Sequence, residues 1–514
     1  MMRRMNSLWE RELDCHQVVM FFLLATSAYA LPLILADFRY IDDNWRTLGA
    51  GTAWAGQGRW FLELLYQALS FTSAAPNMFP LPLLLAVLAM TSALTRLTYH
   101  YFSEPTLVCC LVPLPLWYNP FLLQGLSYQY DGVGIALSLV PVIFAIVFKS
   151  ASRVRQLLVP AALLVLAFGL YQVSVNVFLG LCCVELLRSA STCEPYSQWL
   201  KMLGWKLAQL GLAMLTYLTM TGLFMGAERT ALLNWEASPF LQVSINIGRV
   251  LEKTALLFHG GYAWTITVLI LFALVGLAQL GRRVLAREEQ RWKTVLMTLG
   301  CFLTLPLLAL LVPGITLFFR DFNGGARTLM GFGVLLTVVF YLAFLALSPI
   351  HRRLPLLLAI PLLATLSLSF AYGRVLTLQK DFGNAALYSL GHDITSRREL
   401  YEAKRIYMSV NYSGAWLISA CGSFKHLPVL HYLLNVDYYM LSENLQFMGI
   451  TNVTTESERR NATHVGYQRY IPIVESQYYR IFLLGDYGFI VMKEPVRDDR
   501  KTNSCRDFGS VGVW

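Results

Sequence analysis

Charge is the scarcest property of this sequence: Asp, Glu, Lys and Arg make up 14% of its 514 residues, while 56% are hydrophobic. So little charge excludes an ordinary soluble chain over most of the length. It also removes nucleic-acid binding as the meaning of the formal net charge of +10, because most of the excess Lys and Arg lies in connectors between apolar runs, where it sets membrane topology. The nine cysteines contain no CxxC pair and no metal-like Cys/His spacing, which excludes a zinc module or a thioredoxin-like centre. No Rossmann or phosphate-loop fingerprint is present, which argues against a nucleotide site. Internal repeats and low-complexity segments are absent as well.

Long apolar runs alternate with short charged connectors up to about Gly373, and a span needs roughly 20 apolar residues, so the chain reads as a polytopic, mainly α membrane protein with about eleven transmembrane helices. The basic segment Met1 to Gln17 precedes the run Val18 to Leu35, which is longer than a signal core and lacks a small-x-small cleavage site, and is read as a retained first span. Further spans are expected at Phe79–Leu94, Thr106–Trp117, Gly132–Phe148, Met202–Phe224, Ala263–Leu280, Val295–Val312, Leu329–Leu347 and Leu354–Tyr372. Leu157 to Leu187 is too long for one ordinary helix and is split at Gly169-Leu170-Tyr171-Gln172 into two. With the amino terminus in the cytoplasm, basic residues land inside at every turn. The domains are then 1–374, a polytopic unit with a first external loop at 37–78, and 375–514, an extracytoplasmic α/β domain.

Within that loop, Trp54, Trp60, Phe61, Leu64 and Leu65 are expected on one side of an interfacial helix, or of a connector packed on the protein. In the tail, a helix is expected around Ser396–Ser409, and strands at Gly414–Ile418, Leu427–Leu430 and Phe489–Met492. Asn411, Asn452 and Asn461 head glycosylation sequons, which matter only in a host that uses them. Cys109, Cys110, Cys182, Cys183 and Cys301 fall inside apolar runs as packing residues, while Cys421 and Cys505 lie in the tail, where an oxidising compartment permits a disulfide.

The candidate chemistry centres on Asp37-Phe38-Arg39-Tyr40-Ile41-Asp42-Asp43-Asn44-Trp45-Arg46, directly after the first span. Carboxylates there can do acid–base work on a substrate that arrives in the membrane; the alternative is a solvated, charged cap. Asp42 and Asp43 are the catalytic candidates, and Asp37 adds to the site or caps the span. Arg39, Arg46 and Arg59 suit a lipid phosphate or pair with headgroups and nearby carboxylates. Tyr128, Tyr130 and Asp131 offer ring faces beside a carboxylate, as a sugar requires, although interfacial tyrosines are common. Tyr171 and Gln172 break a helix at the same level. Arg320 to Arg327, two arginines around Gly324-Gly325, form a plausible phosphate grip, with Glu228, Arg229, Lys253 and His259 as weaker candidates. No metal ligands are assigned, although an Asp pair can hold a divalent cation.

The carboxylate pair in the first external loop, followed by an interfacial helix, resembles the GT-C class of membrane glycosyltransferases. More narrowly, Tyr40-Ile41-Asp42-Asp43-x-x-Arg46, the entry Tyr128-Gln129-Tyr130-Asp131-Gly132 and the break Gly169-Leu170-Tyr171-Gln172 resemble the serotype-converting O-antigen glucosyltransferases of the Gtr type, over roughly Val18 to Tyr372. The resemblance implies a polyprenyl-phosphate-linked glucose donor and a lipid-linked O-antigen acceptor at the periplasmic face of a bacterial inner membrane. It also implies dependence on a donor flippase and a donor synthase. It makes Asp42 or Asp43 the general base and gives Arg46, Arg320 or Arg327 the departing lipid phosphate. Asp37, Arg59, Tyr128, Asp131, Tyr171 and Gln172 would bind substrate. The competing readings are a transporter or flippase of a lipid-linked saccharide, disfavoured by the lack of paired halves, and a transferase of the same class using another sugar.

Overall fold

The computed structural model describes residues 11–222, 239–320, 322–409, 417–436, 440–455 and 469–493. Its α-helices up to residue 395, in chain order, are α1 (Cys15–Ala36), α2 (Asp43–Gly49), α3 (Trp60–Ser70), α4 (Leu81–Tyr101), α5 (Leu107–Leu111), α6 (Leu122–Ser127), α7 (Asp131–Val147), α8 (Arg153–Leu170), α9 (Ser174–Ser191), α10 (Tyr196–Gly222), α11 (Pro239–Ala255), α12 (Gly260–Leu285), α13 (Arg291–Leu311), α14 (Gly331–Leu347) and α15 (Ala359–Thr395), of which α2, α3, α5 and α6 are short. Among the described residues, seven helices are long and apolar enough to cross a membrane. Leu107–Leu116, Asp131–Val147 and Gly331–Leu347 are shorter apolar segments, and α10 runs 27 residues. The fold is that of a mainly α, polytopic membrane protein.

The expected crossing at Thr106–Trp117 differs: it is a five-residue helix followed by a 3-10 turn at Leu114–Leu116. Pro113 and Pro115 explain this, since each lacks an amide donor and clashes with the preceding turn. The expected break in Leu157–Leu187 is present, with α8 ending at Leu170 and α9 starting at Ser174.

The chain divides into two compact units, Met1–Leu35 with Thr52–Phe370, and Ala36–Gly51 with Ala371–Trp514. In the first unit α12 packs closely on α14, and α7 packs on α4 and α8. The α12–α14 approach depends on Gly276, where an added Cβ would stand 2.0 Å from the Leu342 carbonyl oxygen. Such small-residue contacts are how helices associate where lipid removes the hydrophobic drive. Leu296, Leu299, Leu303, Leu307 and Leu310 lie exposed along α13, a face suited to acyl chains.

Charges inside the first unit are paired. Glu185, buried on α9, accepts from Arg188 Nε at 3.1 Å and stands 2.9 Å from His100 Nε2 of α4. Lys206 of α10 donates to the Ala145 and Ile146 carbonyls at 2.8 and 2.9 Å, capping the end of α7 where the helix dipole is negative. Asn176, fully buried, donates to Pro313 O at 2.9 Å and accepts from Ile315 N at 3.1 Å, satisfying the irregular backbone after α13.

The second unit contains a five-stranded sheet: β1 (Arg405–Ser409), β2 (Val453–Thr455), β3 (Val474–Glu475), β4 (Tyr479–Leu484) and β5 (Tyr487–Met492), in the order β2-β1-β5-β4-β3. β1 is parallel to β2 and β5, and the remaining pairs are antiparallel. Ala386, Leu387, Leu390 and Ile394 of α15 cluster with Ile406, Met408, Ile481, Ile490 and Met492. The expected strand at Phe489–Met492 is part of β5. The helix expected at Ser396–Ser409 is replaced by a single turn at Arg398–Tyr401 and then β1, because pairing with two neighbours overrides local propensity. Leu427–Leu430 is not a strand: Pro428 caps a helix, Val429–Leu434, which Asn435 ends at φ 43°. The Gly414–Ile418 strand lies largely outside the described residues, as do Asn411, Asn461, Glu228, Arg229 and Cys505. Cys421 is disulfide-bonded, and Asn452 donates its side-chain amide to the Leu400 and Ala403 carbonyls.

Gly276→Leu should therefore lower folded yield and the thermal midpoint in detergent, since overpacking against backbone costs about 1–3 kcal/mol or more. Gly211→Ala on α10, with nothing within 4 Å of the new Cβ, should leave both unchanged. An unaffected Gly276→Leu protein would contradict the α12–α14 contact.

Candidate functional site

The sequence candidates fall in two groups, one in each unit. In the first unit Asp131 is the opening residue of α7, where a carboxylate is stabilised by the helix dipole. It is buried, accepts from Trp54 Nε1 at 2.5 Å, and is 3.4 Å from Arg59 Nη1. Trp54 stacks on Tyr66 with centroids 4.9 Å apart, and Tyr66 on Tyr130 at 5.6 Å. The Tyr66 hydroxyl donates to the carbonyls of Gln129 and Tyr130. Arg59 also lies 4.9 Å over the Tyr171 ring, and Gln172 Nε2 donates to Gln57 O at 2.7 Å.

Asp131, Arg59, Tyr171 and Gln172, four candidates spread over more than a hundred residues, are thus brought together around residues 54–59. The turn that carries them requires Gly58: its φ is 75°, and a Cβ there would meet the Tyr217 hydroxyl at 2.6 Å. Trp54 does not lie on the helix behind, which begins at Trp60 and buries Leu62 and Tyr66 instead. Glu63 on that helix accepts from the amides of Trp54 and Ala55.

Nearby in sequence, the Arg327 guanidinium lies 4.8 Å over the Tyr128 ring, and its amide donates to Gln124 Oε1 at 2.8 Å. The Gly324–Gly325 turn is closed by Asn323, whose side chain accepts from Gly325 N. Arg320 is exposed.

The acidic segment 36–51 belongs to the second unit. Its two adjacent aspartates differ. Asp43 is fully buried at the start of α2 and accepts from Tyr40 N at 2.7 Å, closing the turn that precedes the helix. Asp42 is half-buried, and its carboxylate makes no hydrogen bond or ion pair among the described residues. Arg46 is buried, with Nη1 on Gly51 O at 3.2 Å and the guanidinium 4.4 Å over Trp45. Burial pulls the Arg39 pKa down, against the opposing pull of Asp37 and Asp43. Asp37 is exposed, with Lys380 Nζ 4.0 Å from its carboxylate.

Sequence reasoning missed Tyr66, Gln124 and Glu63, whose roles come from long-range pairing. Of the two readings for Trp54, an interfacial helix or a connector packed on the protein, the second holds: its indole N–H needs a buried acceptor, and Asp131 supplies it.

Apolar helices of spanning length around a paired polar interior define a polytopic membrane protein. The family description "Glucosyl transferase GtrII" matches residues 31–338, and the chain belongs to that family, in agreement with the resemblance drawn from Tyr40–Arg46, Tyr128–Gly132 and Gly169–Gln172. A 157-residue stretch is also 25% identical to a protein of Salmonella phage P22 described as an uncharacterized 55.3 kDa protein in the gtrB 5′ region. That match covers 30% of this chain and 32% of the phage protein, so it spans about a third of the relative's length.

Asp131→Leu should strand the Trp54 and Arg59 donors and destabilise the protein by about 1–3 kcal/mol, read as a lower thermal midpoint. Asp131→Asn, which keeps an acceptor for Trp54, should cost less. Equal stability of Asp131→Leu and wild type would contradict the pairing.

Proposed function

We propose that this chain transfers glucose from a polyprenyl-phosphate-linked donor to lipid-linked O-antigen, at the periplasmic face of a bacterial inner membrane, with Asp42 as the general base. In this reading the amino terminus is cytoplasmic, the polytopic domain covers 1–374, and the carboxy-terminal domain 375–514 is periplasmic. The observation that carries the assignment of the base is the contrast within the aspartate pair. Asp43 is buried and occupied by the backbone of Tyr40, whereas Asp42 keeps a half-buried carboxylate with no partner among the described residues. A base must have a lone pair to offer the acceptor hydroxyl.

The step balances without a metal or nucleotide. Asp42 takes the proton of the acceptor hydroxyl as its oxygen bonds to C1 of glucose. The bond from C1 to the phosphate oxygen breaks, and polyprenyl phosphate leaves with the electron pair. Arg320 and Arg327 are assigned to the phosphate that gains charge, since guanidinium matches phosphate bidentately. Asp131, Arg59, Tyr128, Tyr171, Gln172 and Asp37 are assigned to substrate binding. Arg46, held against Gly51 O and Trp45, supports the backbone of the acidic turn. The donor is supplied by a synthase and a flippase.

Membranes carrying each variant, given polyprenyl-phosphate glucose and O-antigen acceptor, test this. Asp42→Asn should lower the transfer rate by about 10²–10⁴-fold at unchanged protein level, and Asp43→Asn should act chiefly through stability. Wild-type transfer by Asp42→Asn would remove the base assignment. Absence of glucose transfer by the wild-type protein, with movement of lipid-linked saccharide instead, would establish the transporter reading.

A further inference from the structure

The segment that carries Asp42 has little structure of its own: α2 has seven residues, too few to be stable alone. What fixes it lies in the carboxy-terminal half of the same unit. The buried Tyr40 side chain reaches the end of the Val429–Leu434 helix, its hydroxyl donating to Leu434 O. The Tyr372 hydroxyl donates to the neighbouring carbonyl, Leu433 O, at 3.2 Å. The last carbonyls of a helix have no partner within it, and two tyrosines supply one here. On the near side of the turn, the Arg39 guanidinium lies 3.9 Å over the Phe447 ring. On the far side, Asn444 Nδ2 donates to Asn44 Oδ1 at 3.3 Å. These contacts bracket Asp42 at positions 39, 40 and 44, from residues about 390 to 410 places away in sequence, and leave its own carboxylate untouched.

We infer that the carboxy-terminal domain is part of the catalytic apparatus: Asn444 and Phe447 are positioning residues that, with the end of the Val429–Leu434 helix, hold the Arg39–Asn44 turn and so aim the Asp42 carboxylate, while Tyr372, from the preceding helix α15, braces that helix end through Leu433 O. This rests on the assignment of Asp42 as base. A displacement of about 1 Å in a reacting group can cost on the order of 10²-fold in rate, so contacts that touch no substrate still govern turnover.

The test uses the full-length protein in vesicles, with polyprenyl-phosphate glucose and lipid-linked O-antigen. Phe447→Leu and Asn444→Ala should each lower kcat by about 10–100-fold while KM for both substrates stays within about twofold. Phe447→Tyr, which keeps the ring under Arg39, should restore most of the rate. Tyr372→Phe removes a single hydroxyl at nearly constant volume, so it reads the support of the helix end that receives Tyr40 should Phe447→Leu fold poorly. In an Asp42→Asn background the same substitutions should cost less than about twofold further, since they act through a group already removed. Full, multiplicative losses in that background, or single variants with wild-type kcat, would overturn the inference. If Asp42→Asn is impaired while the three positioning variants turn over normally, the base stands and the positioning role falls. If Asp42→Asn itself transfers normally, the base assignment falls and the inference with it.

Discussion

A polar group removed from water must find its partner inside the chain, and this constraint accounts for most of what is specific in the structure. Asp131, Asn176, Glu185 and Lys206 are all buried; Asp131 and Asn176 sit in the first turn of their helices, and Lys206 reaches the carbonyls at the end of another. Each is answered: Asp131 by Trp54 and Arg59, Asn176 by the backbone at Pro313 and Ile315, Glu185 by Arg188 with His100 alongside, Lys206 by the carbonyls that end α7. The apolar faces between these points carry no comparable direction; leucines along α13 suit any acyl chain. The polar pairs therefore fix which helix ends meet, and the apolar contacts fill the space between.

The same constraint separates the two neighbouring aspartates. A buried carboxylate such as Asp43 is tolerable because a backbone amide and a helix start neutralise part of its cost. Asp42, one residue earlier, is half-buried, and its carboxylate meets no donor among the described residues. A site that must receive a substrate hydroxyl needs an acceptor left unused, held by neighbours that are themselves fully used. Asp43 and Tyr40 meet that description around Asp42.

Much of this was legible in the sequence. The break at Gly169–Gln172 follows from an apolar run too long for one span, and Asp131 at a helix entry follows from a lone carboxylate opening an apolar stretch. The basic connectors and the apolar runs mark out the helices. Other features were not legible because they depend on pairing across the chain. Proline interrupts the Thr106–Trp117 run, where hydropathy alone reads a crossing. β1 lies where local propensity favours helix, since a central strand gains from two neighbours what it lacks in preference. Trp54 reads as an interfacial aromatic or as part of a packed connector until Asp131 is seen beside its indole nitrogen.

The acidic segment shows the limit most plainly. Read along the chain, Asp37 to Arg46 follows the first span and looks like the start of a loop belonging to the membrane region. Its side chains are instead held by residues 434, 444 and 447, and nothing in a local pattern reports a partner about 400 positions away. A tail that only selected the acceptor would need no contact with this turn. A tail whose Leu434 carbonyl, Asn444 and Phe447 grip Tyr40, Asn44 and Arg39 on both sides of Asp42 controls the aim of the carboxylate, and its sequence is constrained at Asn444 and Phe447 by the chemistry itself.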